Sequence, residues 1–206
     1  MPKPHLVVMA KDPRPGRVKT RLARDIGSLE AALWTRRRLA RIAAGLTSPL
    51  WTTTLAVAPD QATASALLPA LPRIPQGPGD LGTRMARVFR ILPPGPILII
   101  GTDIPDITRP ILTDAFHALA RHRTVIGPAS DGGFWGVGLD TRRRVPADLF
   151  TDVRWSTEHA LADTLVTLPQ PELLSTLNDV DTAADLARLT PRFSPELFPL
   201  TPDPRP

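Results

Sequence analysis

The chain has 206 residues, 42% of them hydrophobic, and a formal net charge of +5, which suits one α/β domain with a substantial core. It has no cysteine, which excludes disulfides, thiolate zinc sites and cysteine nucleophiles. No apolar run reaches the roughly 18 residues of a membrane span, and the first one is too short for a signal peptide, so a cytoplasmic protein is expected.

In chain order, Leu6–Ala10 is a short continuous apolar run, the pattern of a strand buried on both faces. Residues 11–21 then form a loop braced by Pro13, Pro15 and Gly16 that carries Lys11, Arg14, Arg17, Lys19 and Arg21. Lys19 and Arg21 fall near the start of a helix. Leu29–Leu46 has apolar residues at helical spacing, notably Leu39, Ile42, Ala43 and Leu46. Thr52–Ala58 is β-branched and strand-like, and Asp60–Leu68 reads as a short helix. A Gly-rich stretch, Gln76 to Arg84, leads into a helix over Leu81–Leu92 with Leu81, Met85, Val88, Phe89 and Leu92 on one face. Pro96–Gly101 is the strongest strand signal. Thr108 and Pro110 mark a helix start, and Ile111, Leu112, Ala115, Phe116 and Leu119 form its apolar side. Two strands follow, Thr124–Ile126 and Phe134–Leu139. Ser156 is expected to cap a helix running to Leu168, and Thr182 with Asp185 forms a capping-box-like pair for a last helix. Prolines at 191, 195, 199, 202, 204 and 206 predict a loosely held tail over 190–206, leaving 1–189 as one domain.

This alternation argues for a mostly parallel sheet covered on both faces. Ligands of such sheets bind outside the carboxyl ends of the strands, and the loops after Ala10, after Ile100 and around Asp131 all lie there. Five cations on one short loop repel one another, so the arrangement suits a highly charged anion such as a nucleotide polyphosphate. The order of a Walker loop is absent. In Gly101-Thr102-Asp103-Ile104-Pro105-Asp106, Asp103 is placed to hold Mg²⁺, which takes one or two carboxylates and shares phosphate oxygens with substrate. A turn-forming Asp is the plain alternative, and Asp106 reads as a helix-start acid. Asp181, in Asn178–Thr182, is either a second metal ligand or an acid that favours the helix N-terminus. Asp131, Gly132, Gly133, Phe134 and Trp135 suggest a tight turn exposed to a pocket, with a plain β-turn as the alternative. Trp155 stands beside the expected helix cap. The histidines have no metal-ligand spacing. Apart from Lys3, Lys11 and Lys19 the basic residues are arginines, as a GC-rich coding sequence yields. Arg36–Arg38 and Arg142–Arg144 lack the interleaved aromatics of a nucleic-acid surface and read as solvated faces or turns.

Together the motifs K-x-P-x-P-G-x-V-K-T-R-L, G-D-L-G-x-R-M, G-x-D-x-P, G-P-A-x-D-G-G, W-S-T and D-V-D-T-x-x-D-L, in that order over about Leu6 to Leu189, resemble the DUF2064 family. That family is also called the selenodomain-associated, CofC-like glycosyltransferase family, and it is similar to the nucleotide-diphospho-sugar transferase (GT-A) superfamily. The resemblance implies a Rossmann-like three-layer α/β/α sandwich with a mostly parallel mixed sheet. It implies nucleotide binding by Lys11, Gly16, Arg17, Lys19 and Arg21, with Gln76, Gly79, Asp80, Gly82 and Arg84 near the base. It implies Mg²⁺ or Mn²⁺ on Asp103 and Asp181, and an acceptor side lined by Asp131, Gly132, Gly133, Phe134 and Trp155. Two departures stand out. Phe134 replaces the Tyr that often follows D-G-G, and the superfamily's D-x-D is reduced to a single acid, Asp103.

The expected activity is transfer from a nucleotide donor to a small-molecule acceptor, with Lys19, Arg21 and Asp103 catalytic and no nucleic acid or membrane as partner. Nucleotidyl transfer with release of pyrophosphate leads. Glycosyl transfer from a nucleotide-sugar and non-catalytic nucleotide binding are the alternatives.

Overall fold

The structure is a computed structural model and describes residues 3–189. The tail expected over 190–206 lies outside the described residues. Seven strands form one sheet in the order β3-β2-β1-β4-β6-β5-β7: β1 (His5–Lys11), β2 (Thr52–Ala58), β3 (Arg73–Pro75), β4 (Pro96–Ile100), β5 (Thr124–Pro128), β6 (Phe134–Asp140) and β7 (Glu172–Leu173). The pairs β1–β2, β1–β4, β2–β3 and β5–β7 are parallel, while β6 runs antiparallel to both β4 and β5. The expected mixed, mostly parallel sheet is what forms.

Strand side chains alternate between two cores, as the period-2 geometry of a strand requires. Leu6, Val8, Leu98, Ile100 and Val125 enter one core. There they meet α2 (Ser28–Gly45) through Leu39 and Ile42, and α4 (Arg109–Arg121) through Leu112, Ala115, Phe116 and Leu119. Val7, Ile97, Ile99 and Ile126 enter the other. There they meet α3 (Leu81–Ile91) through Met85, Val88 and Phe89, and α5 (Ala160–Thr167) through Ala160. The result is the three-layer sandwich.

Several local expectations are corrected. Leu22–Ile26 forms its own short helix, α1, broken from α2 at Gly27, whose φ of 87° only glycine adopts without strain. Asp60–Leu68 shrinks to a 3₁₀ turn over Asp60–Ala64. Leu81 is 42% exposed and lies off the apolar face. Ser156 does not cap a helix: it sits at φ 62°, and α5 starts at Ala160. Asp106 is not a helix cap either, since Thr108 holds that position before α4. The two-residue edge strand β7 and the three-residue β3 are too short for an alternation signal. The Thr182–Asp185 pair does form. The Thr182 amide donates to Asp185 at 2.9 Å and the Asp185 amide donates to Thr182 Oγ1 at 3.2 Å, ahead of α6 (Ala183–Leu189).

Candidate functional site

The carboxyl ends of β1, β2, β4 and β5 share one edge of the sheet, because these strands run in the same direction. The segment after β7 climbs to the same edge. Leu177 N bonds Pro128 O at 3.1 Å, and Val180 N bonds Asp103 O at 3.0 Å. Residues 11–21, 101–108, 129–133 and 177–181 therefore meet.

Lys19 stands at the centre of this meeting. Its Nζ is 3.0 Å from Asp103 Oδ1, 2.7 Å from Asp181 Oδ1 and 2.6 Å from Val180 O. The ammonium lies 5.6 Å from the centroid of the Trp34 ring, within cation–π range. The side chain of Lys19 is only 8% exposed, whereas those of Asp103 and Asp181 are 50% and 33% exposed. The lysine thus sits beneath two carboxylates that remain open to solvent. Its backbone is left-handed, at φ 47°, which costs a non-glycine residue about 1–3 kcal/mol and persists only where the surroundings enforce it. Those surroundings include a small core of Leu22, Trp34 and Val180, with Ile26 and Leu186 packed against it. This core ties α1, α2 and α6 together and fixes Lys19 against residues 180–181. Arg21 Nη1 reaches Asp181 Oδ2 at 3.4 Å.

The cation-rich loop is less exposed as charge than its sequence suggests. Arg14 Nε donates at 2.5 Å to Asp12, which is buried and also accepts from Ser65 Oγ at 2.6 Å. That pair braces the loop. Arg14, Lys19 and Arg21 all have carboxylate partners within the protein, and Gly16 and every cation of the loop except Lys19 are exposed.

Asp103 is fixed from below by Arg38. The Arg38 guanidinium donates to Thr102 O at 3.2 Å and to Ile104 O, the carbonyls on either side of Asp103. Arg38 is buried, which corrects the expectation that Arg36–Arg38 is a solvated face. Burial, then Arg41, push its pKa down to about 10, against the pull of Asp103 and Asp106. No sequence motif marked this residue. The only available signal was its helical register with Leu39 and Ile42 on the inward side of α2.

The other expected site residues divide. Gln76 is buried, and its amide donates to Ala10 O at 3.1 Å and Ala56 O at 2.8 Å, joining the ends of β1 and β2. Asp80 caps α3 by accepting from Thr83 N at 2.8 Å. A Cβ on Gly82 would meet Phe150 Cβ at 2.7 Å and Trp155 Cζ2 at 2.8 Å, so its smallness serves packing. Arg84 Nε bonds Gly79 O at 2.8 Å. Asp131 accepts from Gly133 N at 2.8 Å, shaping the 129–133 turn. Gly132, at φ 84°, lets that turn press against Glu158, and its carbonyl accepts from Leu161 N at 2.9 Å. Phe134 and Trp155 meet edge to face at 6.2 Å. Asp179 adds an acid beside the site. Burial first, then Asp131 and Asp181, hold its carboxyl above the usual range.

A protein-family model, DUF2064, described as an uncharacterized protein conserved in bacteria, matches residues 41–157. The chain belongs to the DUF2064 family. No curated protein matches it. Among solved structures, this DUF2064 chain is similar to a candidate nucleotide-diphospho-sugar transferase from Desulfovibrio desulfuricans G20. Identity is 26% and the TM-score 0.82, over 95% of this chain and 90% of that one. It shares its fold with CMP:2-keto-3-deoxy-manno-octonic acid synthetase complexed with CTP, at 10% identity and a TM-score of 0.52, over 91% and 97% of the two chains. It also shares its fold with Rv0371c from Mycobacterium tuberculosis H37Rv in complex with manganese, at 13% identity and a TM-score of 0.53, over 91% and 98%. The DUF2064 chain thus has the nucleotidyl- and glycosyltransferase fold.

Whether the site suits a divalent ion is tested by its donors. Among the described residues no group of three or more His, Asp or Glu side chains converges as a complete metal site. Two carboxylates do converge, each within 3.0 Å of a single cationic nitrogen. A pair of this kind fits Mg²⁺ or Mn²⁺ that completes its shell with water and phosphate oxygens. Among the described residues no helix is long and apolar enough to cross a membrane.

Proposed function

We propose that this protein is a divalent-metal-dependent transferase that uses a nucleotide donor, and that the reaction is nucleotidyl transfer to a small phosphorylated or hydroxyl acceptor. One observation carries the proposal: Lys19 Nζ lies within 3.0 Å of both Asp103 and Asp181 at the carboxyl edge of the sheet. Cationic and carboxylate groups are thereby gathered where open α/β sheets bind ligands. The fold shared with a CTP-bound synthetase and a manganese-bound protein supports the same reading.

Asp103 and Asp181 would hold the divalent ion, which supplies charge neutralisation and orients the phosphates. Lys19, Arg21 and the exposed Arg17 grip phosphate oxygens. Arg38 holds the Asp103 backbone still. An acceptor oxygen attacks the α-phosphorus in line, and the bond from that phosphorus to the bridging oxygen breaks. The electron pair leaves with pyrophosphate, and a proton from a hydroxyl acceptor passes to solvent. Such chemistry relies on positioning and charge stabilisation and needs no nucleophilic side chain. The 129–134 turn, joined to the 177–181 segment by the Ser130 amide donating to Leu177 O, and Trp155, which meets Phe134 edge to face, would form the acceptor side.

Glycosyl transfer from a nucleotide-sugar is the second reading, favoured by the 26% identical relative from Desulfovibrio desulfuricans G20. The two are separated by product. α-³²P-labelled nucleoside triphosphates, incubated with a small-molecule extract and Mg²⁺, should give a labelled adduct with equimolar pyrophosphate. Nucleoside diphosphate released from nucleotide-sugars would favour glycosyl transfer. Binding without either product would leave a nucleotide-binding protein. Lys19→Ala should lower turnover by more than tenfold, and an unchanged rate would remove Lys19 from the mechanism.

A further inference from the structure

The two open carboxylates of the site are already neutralised from within. Lys19 contacts both, and Arg21 contacts Asp181. Within these four groups the two positive charges balance the two negative ones, with Asp179 and Arg38 close by. Lys19 is held there by two carboxylates, the Val180 carbonyl and the Trp34 ring, so it is a built-in counter-ion rather than a wandering surface lysine. A bare divalent cation approaching Asp103 and Asp181 meets that ammonium at close range, and like charges so near repel strongly where solvent screening is poor. A divalent ion arriving on a polyphosphate differs. Its phosphate oxygens satisfy Lys19 and Arg21 while the ion takes the carboxylates, so each charge finds an opposite partner.

We infer that Lys19 makes the site refuse a free divalent ion and accept it only together with an anionic polyphosphate. Lys19 is then a specificity-determining residue with two opposed effects, weakening the site's hold on the metal and strengthening its hold on the phosphates. This rests on the reading of Asp103 and Asp181 as metal ligands.

Mn²⁺ is the probe. Its binding to the full chain is followed by electron paramagnetic resonance, first with no nucleotide and then with CTP. CTP binding is followed separately by calorimetry in Mg²⁺. The wild type should bind Mn²⁺ weakly alone and well with CTP. Lys19→Met, which keeps an unbranched apolar side chain but removes the ammonium, should bind Mn²⁺ alone at least tenfold more tightly and CTP at least tenfold more weakly. Lys19→Gln, measured identically, serves if the Met variant does not fold. Opposite signs for the two ligands support the inference, and a merely damaged site would lose both. Equal or weaker Mn²⁺ binding by the variant overturns the inference while leaving the metal reading intact. Mn²⁺ bound by neither protein, alone or with any of CTP, GTP, ATP and UTP, overturns both.

Discussion

Arg38 shows how much of the site depends on a residue buried beneath it. Its guanidinium satisfies the Thr102 and Ile104 carbonyls, and stranding a buried acceptor costs about 1–3 kcal/mol. Arg38→Met should therefore lower unfolding free energy by about 2 kcal/mol in urea, and Arg38→Lys should recover part of the loss. A variant as stable as the wild type would show that the loop holds itself. The residues easiest to read from sequence were those whose chemistry is legible alone. Lys19 stood out in a cation-rich loop and Asp103 after the strongest strand, whereas Asp181 read equally as a helix-start acid until the family resemblance raised it, and the structure brings the three together. Arg38 was hidden in an Arg-rich run because periodicity separates inward from outward positions by only a fraction of a turn. Gln76 and Gly82 have hydrogen-bonding and packing duties within the protein, which a Gly-rich loop signals no differently from close approach to a base.

At the scale of elements, α3 depends on the residue that caps it, Asp80. Asp80 accepts from Thr83 N, and hydrogen bonding from the Thr83 side chain first, then from its amide, holds its carboxyl below the usual range. Losing an N-cap of this type costs about 1 kcal/mol. Asp80→Ala should lose that amount in chemical denaturation, whereas Asp80→Asn, which caps equally well, should not. If Asp80→Asn keeps its stability but loses nucleotide affinity, the residue also serves the base. The main strands and helices were legible because both cores impose strict periods of 2 and 3.6 on their residues. The short elements were not. β3, β7 and α1 are held by neighbours rather than by patterns of their own, and Ser156 looked like a cap only because helix starts and tight turns favour the same small polar residues.

For the whole molecule, acid should act through carboxylates held below their ordinary range. Asp140 is depressed by its hydrogen bonds to Arg142, Asp163 by those to Arg154, and Asp80 as above. A carboxylate whose folded pKa is lowered contributes stability that is complete above the unfolded value of about 3.9 and is lost as pH falls through the folded values. Melting temperature should be nearly flat from pH 8 to 5 and drop below about pH 4, with a smaller drop in Asp163→Asn. Asp179, raised in the folded state, works in the opposite direction. A melting temperature unchanged down to pH 3 would contradict the assignment.

The three-layer fold brings distant parts of the chain to one edge, and the account stands on what they do together there. Asp103 and Asp181, from two separate loops, are held within 3.0 Å of the Lys19 ammonium nitrogen from a third. Thermal unfolding of the full chain with a panel of nucleoside triphosphates and nucleotide-sugars, with and without Mg²⁺, tests this most directly. At about 100 times the dissociation constant a ligand adds about 2.7 kcal/mol, or about 5–10 °C for a domain of this size. At least one nucleotide should give such a rise only when Mg²⁺ is present, and Asp103→Asn and Asp181→Asn should abolish it. A rise that is indifferent to Mg²⁺ and survives in both variants would contradict the account.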